Sequence, residues 1–592
     1  MFIRQFPILL RPVPLLAALL LLSACQSESS NPKTTAIEQE IRSIETIADE
    51  VLDEMLLRYP WMGTSYAIEG ARHDRLYDNS LDALAEWQQK EDAWLAELTA
   101  IGEPQEVRSR DWVTWGILHE QLQAEKATRI CRKELWETSA TTAWYRGMPF
   151  IFDIQPLETD ELKKQALARL GEVDRFIDTE IENLRKGLEL GYSSPRLTVE
   201  VVPEEVRGLR DENSPFLGMI SRTEDEVFEG AVREIFEDEI VPAIDRFADF
   251  IEDDYLEQAR EEIALSHNPN GAECYPALVR SFATVQPTAD EIHELGLQQM
   301  TLIRAEMEAV LAEHYDGEPI ESFVRRINVD PEFTFRTEQE VLEYSVHALE
   351  AAKQRMPDVF GVMPKADVII KPYPDFAASG VGEYHSSSED GTRPGIFYIA
   401  VRDPEKRSRA TQQSTLYHET YPGHHMQGAI ALELGDKVHS LARYLGNSGY
   451  SEGWGLYSER LAQELGLYNG PLDLMGLYSD QGARAARLVI DTGIHTKGWS
   501  RQQAVDYMLN NTGWPEVDIQ NDINRYISWP GQATSYMLGM LEIRRLRTLA
   551  EVELGEQFDI RDFHNQVLQN GGMTLPMTEK AVLAWIEKTK QE

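Results

Sequence analysis

The sequence predicts a mainly α-helical protein that contains one small β-sheet. Apolar residues recur at three- and four-residue spacing through most of the chain, which is the period of amphipathic helices. Patterns typical of strands are confined to two short stretches in the second half of the sequence. The chain has 592 residues, too many for one ordinary hydrophobic core, so we expect two packed units or one large bilobed fold.

The helical pattern starts near residue 36 and returns throughout the chain. The first segment, 36–60, ends at a proline, and a later one ends at Gly191, a residue type common just after helices. The other amphipathic segments span 160–191, 226–265, 288–314, 337–355 and 501–511. From this organisation we predict an N-terminal helical lobe at 37–330 and a second helical lobe at 331–592, with interleaved helices.

The two strand patterns lie at 365–374 and 395–401. Both are short, rich in β-branched and aromatic residues, and bounded by proline, glycine or serine. The glycine- and serine-rich stretch between them indicates either a mobile loop or a hairpin connection. The predicted sheet therefore comes just ahead of a cluster of histidines that begins at His418.

The N-terminus has the pattern of an exported protein. Two arginines precede an apolar run about half as long as the roughly 20 residues that span a membrane, which indicates a signal peptide at 1–24. The tetrapeptide LSAC resembles a bacterial lipobox, in which Cys25 is lipidated and becomes the first residue; an ordinary signal peptide is the alternative. Residues 25–36 are then a flexible tether. Gln26 resembles the sorting signal of outer-membrane lipoproteins, so we expect a lipid anchor facing the periplasm.

Composition argues against nucleic acid as a partner. The chain carries 57 basic and 100 acidic residues, and its formal charge of −43 would repel a phosphate backbone. Hydrophobic residues make up 42% of the sequence, as in ordinary globular proteins. Cys131 and Cys274 lie far from the histidine cluster and outside any metal-binding spacing, so they are either two buried thiols or one disulfide.

The stretch TLYHETYPGHHMQG, residues 415–428, begins like a zinc-binding helix but has a proline where the second histidine would stand. On a regular helix, His424 would lie on a different face from His418. His425 would share the face of His418 but would lie about 10 Å farther along the axis, too far for both rings to bind one ion easily. Pro422 opens the helix, because it has no N–H to donate to the carbonyl of residue 418. We therefore expect a break followed by a new helix at His424.

The length of that break decides the second ligand. A two-residue bulge would place His424 beside His418, and a three-residue bulge would place His425 there. A third ligand is expected on the helix within GYSEGWGLYSERLAQELGL, where Glu452 lies in the first turn beside Gly453 and Gly455. Glu459 is positioned to orient a histidine; the alternative is that both acids face solvent.

Four motifs then resemble one bacterial family. They are HETYPGHH, SEGWGLYSERL, DTGIHTKGW and PGQATSYMLG, and in this order they resemble the motifs of domain-of-unknown-function family 885. The histidine pattern of that family is in turn similar to the zinc sites of helical peptidases, namely carboxypeptidase Taq, thimet oligopeptidase and angiotensin-converting enzyme. The resemblance implies a bilobed, zincin-like metallopeptidase fold with the small sheet beside a deep cleft. It implies Zn²⁺ held by His418, His424 and Glu452, with Glu419 as the catalytic base.

The resemblance suggests roles for Tyr536 and Tyr398, and the residue pattern suggests the others; Tyr536 and Tyr526 could equally be packed aromatic residues. Tyr536 corresponds to the tyrosine that stabilises the reaction intermediate, and Tyr526 is the alternative; His425 is a further catalytic candidate. Arg487 and His495 share a helical face and are candidates for holding a substrate carboxylate, although an ion-paired helix would look the same. Tyr398 lies in a segment similar to the edge strand that binds an extended peptide.

The sequence thus predicts a zinc-dependent hydrolase of short peptides, held by a lipid anchor. Iron or manganese would also suit two histidines and a glutamate. A zinc amidase that acts on non-peptide or cell-wall amides is one alternative. A binding lipoprotein with a degenerate site is the other.

Overall fold

The computed structural model describes residues 42–68, 70–373, 382–388 and 391–592. The predicted signal peptide at 1–24, the tether at 25–36 and the lipidation of Cys25 lie outside the described residues. Residues Arg42–Glu592 belong to one compact unit. The division into lobes at 37–330 and 331–592 stays a prediction.

The fold is mainly α-helical, as predicted, and short 3₁₀ turns join many of the helices. Helices α1 to α12 span Ile44–Arg58, Pro60–Ser65, Leu81–Ile101, Arg110–Thr128, Asp160–Leu170, Val173–Glu189, Arg196–Val199, Val202–Arg207, Glu226–Ile235, Val241–Asp249, Leu256–Gln258 and Gly271–Ala283. Helices α13 to α25 span Ala289–His314, Ile320–Arg326, Glu338–Val359, Gln412–Glu419, His424–Leu432, Leu441–Tyr444, Ser448–Glu464, Pro471–Lys497, Arg501–Asn511, Glu516–Ser528, Ser535–Leu554, Ile560–Leu568 and Leu575–Thr589.

Two of the predicted helical segments are interrupted. The segment 160–191 divides near Gly171 into α5 and α6. The segment 226–265 contains two π-helical stretches, Phe236–Ile240 and Phe250–Tyr255. A π turn inserts an extra residue but keeps the apolar side chains on the buried face, so the periodicity of the sequence does not reveal it.

Three strands form the small sheet: β1 (Val368–Pro372), β2 (Gly382–His385) and β3 (Gly395–Ile399), in the order β1-β3-β2. Strand β3 pairs in parallel with β1 and antiparallel with β2, and β2 lies within the predicted connecting stretch. The prediction that the Tyr398 segment is an edge strand is wrong. Both sides of β3 are already paired, and an extended peptide cannot add to it.

The largest hydrophobic core is built mostly from the second half of the chain, where α13 packs on α20 and α19 packs on α23. A second core is built from buried residues between Leu76 and Ala259. Cys131 and Cys274 are buried in the larger core and form a disulfide, which settles the alternative left open above. Among the described helices, none is both long and apolar enough to cross a bilayer.

Candidate metal centre

The helix breaks where the sequence predicts, since α16 ends at Glu419 and α17 starts at His424. Pro422 cannot donate the hydrogen bond that a continuous helix requires there. Gly423 is required for a steric reason: a Cβ at this position would lie 1.8 Å from the carbonyl oxygen of His418. The break brings the first residue of α17 beside the last turn of α16.

Three side chains from three helices converge at this break. Nε2 of His418 and Nε2 of His424 lie 3.2 and 3.4 Å from the same oxygen, Oε2 of Glu452. The two imidazole rings are 4.7 Å apart and nearly perpendicular, at 88°. Ligand atoms about 2.05 Å from a tetrahedral ion lie about 3.3 Å from one another, which matches both spacings. These side chains fit a divalent cation with one coordination position left over.

A buried carboxylate orients His418 from behind. Nδ1 of His418 donates to Oε1 of Glu459 at 2.8 Å, and the amide of Gln481 donates to the other oxygen of Glu459, also at 2.8 Å. This arrangement leaves Nε2 of His418 directed at Glu452, as in carboxylate–histidine–metal sites. Burial alone would lower the pKa of His418, but the hydrogen bonds to Glu452 and Glu459 outweigh it and raise that pKa to about 10.

Two glycines of α19 make room for these contacts. The helix starts at Ser448, so Glu452 lies in its second turn rather than its first. A Cβ on Gly453 would lie 2.5 Å from the backbone of Gly539 in α23. A Cβ on Gly455 would lie 2.6 Å from the imidazole ring of His418. The first glycine therefore permits helix packing, and the second permits the position of a ligand.

We expect Gly455→Ala to weaken zinc binding by about 10- to 100-fold, the range typical when the support of a metal ligand is disturbed. The added methyl group would displace the ring of His418, and calorimetric titration with zinc measures the effect. Gly446→Ala is the control, because no atom lies within 4 Å of a Cβ there. Wild-type zinc affinity in Gly455→Ala would contradict the position of His418.

Glu419 is the partly buried neighbour of His418 at the end of α16. Burial raises the pKa of its carboxyl group, and the nearby His424 and His418 offset part of that effect. Burial also acts on Glu452, but hydrogen bonds from His418 and His424 lower its pKa well below the usual range. Glu452 is therefore held as a carboxylate anion, whereas Glu419 is the more basic of the two carboxyl groups.

A comparison with known proteins identifies the family of this chain. A family model described as a bacterial protein of unknown function, DUF885, matches residues 60–582. The chain belongs to the DUF885 family. Among curated proteins, none matches it.

Two solved structures resemble this DUF885 chain over nearly its full length. A protein of Colwellia psychrerythraea, described as a lipoprotein, is 26% identical, with a TM-score of 0.85 over 93% of this chain and 100% of its own. A protein of Shewanella oneidensis, described as a lipoprotein of unknown function, is 15% identical, with a TM-score of 0.74 over 92% of this chain and 100% of its own. The second of these shows likeness of fold alone.

Near the candidate metal centre, Arg487 of the DUF885 chain lies over the ring of a predicted catalytic residue. Its guanidinium is 4.4 Å from the centre of the Tyr536 ring, and its Nη2 donates to Asp522 at 3.1 Å. Among the described residues, Nη1 of Arg487 has no hydrogen-bond partner although it is buried. Burial raises the pKa of Tyr536, and the carboxylate of Glu452 raises it further, so Tyr536 lies close to the metal ligands.

A second arginine, which sequence analysis missed, lies one turn earlier on the same face of α20. The guanidiniums of Arg484 and Arg487 both lie 5.5 Å from the ring of Trp514. Nε of Arg484 is buried and has no partner within the described part of the chain. Its charge lowers the pKa of Glu419, which places it beside the proposed base. The spacing of three residues from Arg487 was the available signal.

Two predicted substrate-binding residues, His495 and Tyr526, are buried in contacts within the protein. His495 is buried: Nδ1 accepts from the N–H of Leu265 at 3.1 Å and Nε2 donates to the carbonyl of Tyr526 at 3.0 Å. The hydroxyl of Tyr526 is buried too; it donates to Asp522 and accepts from Nε of Arg487. Both side chains therefore support Arg487 and its helix through contacts within the protein, and their role in binding substrate stays a prediction.

His425 also lies away from the metal centre. Its Nδ1 accepts from the hydroxyl of Tyr384 at 3.0 Å, and its Nε2 donates to the carbonyl of Ala366 at 3.1 Å. Burial lowers its pKa to about 4. The ring thus connects α17 to the small sheet and is not among the three converging side chains, and its catalytic role stays a prediction. Tyr398 is on this sheet as well, with its ring 5.0 Å from that of His385.

Proposed function

We propose that this protein is a zinc-dependent hydrolase that cleaves amide bonds of short peptides, with a zincin-like fold. The observation that carries the proposal is the convergence of His418, His424 and Glu452, with Glu419 adjacent in sequence to the first ligand. A bound zinc ion would supply a Lewis acid that activates water and polarises an amide carbonyl. Another divalent metal would fit the same donors.

The protein's own residues would carry out the proton transfers. Glu419 would accept a proton from the attacking water and pass it to the leaving amine, which is the role of a general base that then acts as an acid. Tyr536, held against Arg487, would donate a hydrogen bond to the oxygen that becomes negative. Both groups lie beside the ligands, and both have a raised pKa from burial.

The arginine pair supports a substrate with a free carboxylate. Arg484 and Arg487 each have a buried N–H without a partner, and each is stacked on Trp514, so their positions are held before a substrate binds. Carboxylates are among the anions whose planar geometry matches the guanidinium group. The C-terminus of a short peptide would present one at a fixed distance from the bond that is cut.

We expect Arg484→Met to raise the KM for peptides with a free C-terminus by about 10- to 100-fold, the effect of losing one charge-assisted hydrogen bond. For peptides with an amidated C-terminus, the wild type and the variant should have the same KM, because the contact that the substitution removes is already missing. Steady-state kinetics on a matched pair of peptides measures the difference. Equal effects on both peptides would contradict carboxylate recognition.

We also propose that the protein is lipid-anchored through Cys25 on the periplasmic side of the cell envelope, at the outer membrane. The lipobox pattern supports this, and the two solved structures of the same fold are described as lipoproteins. Radiolabelled palmitate should be incorporated by the wild type and not by Cys25→Ala.

Substrate profiling tests the proposed substrate class. The zinc-loaded protein is incubated with a library of short peptides and, separately, with cell-wall muropeptides, and the products are mapped by mass spectrometry. We expect cleavage of the peptides. Cleavage of muropeptides alone would instead indicate a cell-wall amidase, and cleavage of neither would indicate a binding protein.

A further inference from the structure

The N-terminal half of the chain contains an apolar cleft that is separate from the metal centre. Its volume is about 570 Å³, within the roughly 300–1,000 Å³ typical of small-molecule sites. Its wall is mostly apolar, and three large apolar side chains at its mouth are strongly exposed: Trp61 by 45%, Phe150 by 51% and Ile154 by 50%. Exposed apolar groups clustered around one cavity are characteristic of a binding site.

A buried arginine lines this apolar cleft. Arg169 is completely buried, and its guanidinium donates to neutral oxygens only: the carbonyls of Arg75 and Arg72, the hydroxyl of Thr64 and the amide of Gln155. These four bonds use four of its five N–H groups. Within the described residues, no carboxylate lies within the 4.0 Å of an ion pair with Arg169. Burial lowers its pKa to about 10.

The other charged groups around the apolar cleft are already paired. Arg146 binds Glu205, and Arg75 binds Asp74, which is also held by Arg72. A buried cation without a counter-ion is costly, and an anion beside it would offset that cost. Arg169 is therefore the group on this wall that forms no ion pair among the described residues, although Asp74 lies near enough to raise its pKa.

A second polar group in the apolar cleft lacks a partner. Nε1 of Trp144, which lines the same cavity, is buried and has no hydrogen-bond acceptor among the described residues. It is a donor, as is the remaining N–H of Arg169. Both unpartnered groups would therefore be satisfied by an acceptor with negative charge, and neither would be satisfied by a cation.

We propose that the apolar cleft binds an amphipathic carboxylate of the fatty-acid class, with its carboxylate at Arg169 and its hydrocarbon chain along the apolar wall. We infer this orientation from solvent exposure: Arg169 is fully buried, whereas Trp61, Phe150 and Ile154 are exposed at the opening. The mouth residues then cover the distal part of the chain. This site is independent of the peptide hydrolysis proposed above, since no residue lines both.

Calorimetric titration of the full chain tests the proposal with three probes that share a twelve-carbon tail: dodecanoate, dodecan-1-ol and dodecyltrimethylammonium. All are used below their micelle-forming concentrations. We expect dodecanoate to bind one molecule per chain, at least tenfold more tightly than the alcohol, and the cation not to bind. Equal affinities for dodecanoate and the alcohol, or no binding of dodecanoate, would overturn the proposal.

Two variants locate the binding. Arg169→Gln should remove the preference for dodecanoate over the alcohol. Arg169 also hydrogen-bonds to the backbone of Arg72 and Arg75, so its replacement could disturb folding. The second variant, Gly147→Phe, avoids this problem. It places a large side chain in the cleft at a position where no atom lies within 4 Å of a Cβ. We expect Gly147→Phe to lower dodecanoate affinity at least tenfold with an unchanged melting temperature. Wild-type affinity in Gly147→Phe would place the ligand elsewhere and refute the assignment.

Discussion

Replacing Glu419 by glutamine is expected to leave the metal bound and to reduce peptide hydrolysis by about 100- to 10,000-fold, the usual contribution of a general base. Glutamine keeps the shape of the side chain but cannot accept a proton. The ligand atoms belong to His418, His424 and Glu452, so their spacing of 3.2 and 3.4 Å does not depend on Glu419. Mass-spectrometric mapping of cleaved peptides measures the turnover, and elemental analysis measures the zinc.

The matched control for this variant is Glu464→Gln. Glu464 ends helix α19 and forms an exposed ion pair with Arg547 at 2.8 Å. The Glu464→Gln variant should hydrolyse peptides at the wild-type rate, because the ion pair is remote from the histidines. Full activity in Glu419→Gln would show that another group removes the proton. Loss of zinc from Glu419→Gln would show instead that Glu419 belongs to the ligand set.

The second large effect is a difference between alanine variants of two adjacent histidines, His424 and His425. His424→Ala should lower zinc affinity by more than about 100-fold, because one of three ligands is removed. His425→Ala should keep its zinc but lose about 1–3 kcal/mol of unfolding free energy, because the buried groups of Tyr384 and Ala366 lose their partner. Elemental analysis and urea unfolding of both variants give the two readouts.

The opposite pattern would reverse the assignment. If His425→Ala lost its zinc and His424→Ala retained it, the helix break would hold three extra residues in solution rather than two. Such a result would also remove the basis for placing Glu452 opposite His424.

Local chemistry explains why the convergence of His418 and His424 could be predicted from the sequence. Pro422 and Gly423 force the helix to open within a few residues, and no distant contact is needed to infer this. The step from His418 to Glu459 follows from helical spacing in GYSEGWGLYSERL once Glu452 is placed. The predicted start of α17 at His424 is confirmed for the same reason.

Features set by distant packing were not accessible in this way. The central position of β3 depends on pairing with β1 and β2 at once, which the alternation of residues in one strand does not specify. His495 shares a helical face with Arg487, yet contacts with Leu265 and Tyr526 bury it. Arg169 shows the same limit, because a basic residue on an amphipathic helix ordinarily faces solvent.

The most direct test of the central claim is peptide hydrolysis by one protein sample before zinc is removed, after removal by a chelator, and after zinc is restored. We expect cleavage in the first state, less than about a hundredth of it in the second, and recovery in the third, since the proposed chemistry requires the ion. Cleavage that continues unchanged in the zinc-free protein would contradict the metal-dependent mechanism. Absence of cleavage in the fully loaded protein would contradict the proposed activity itself.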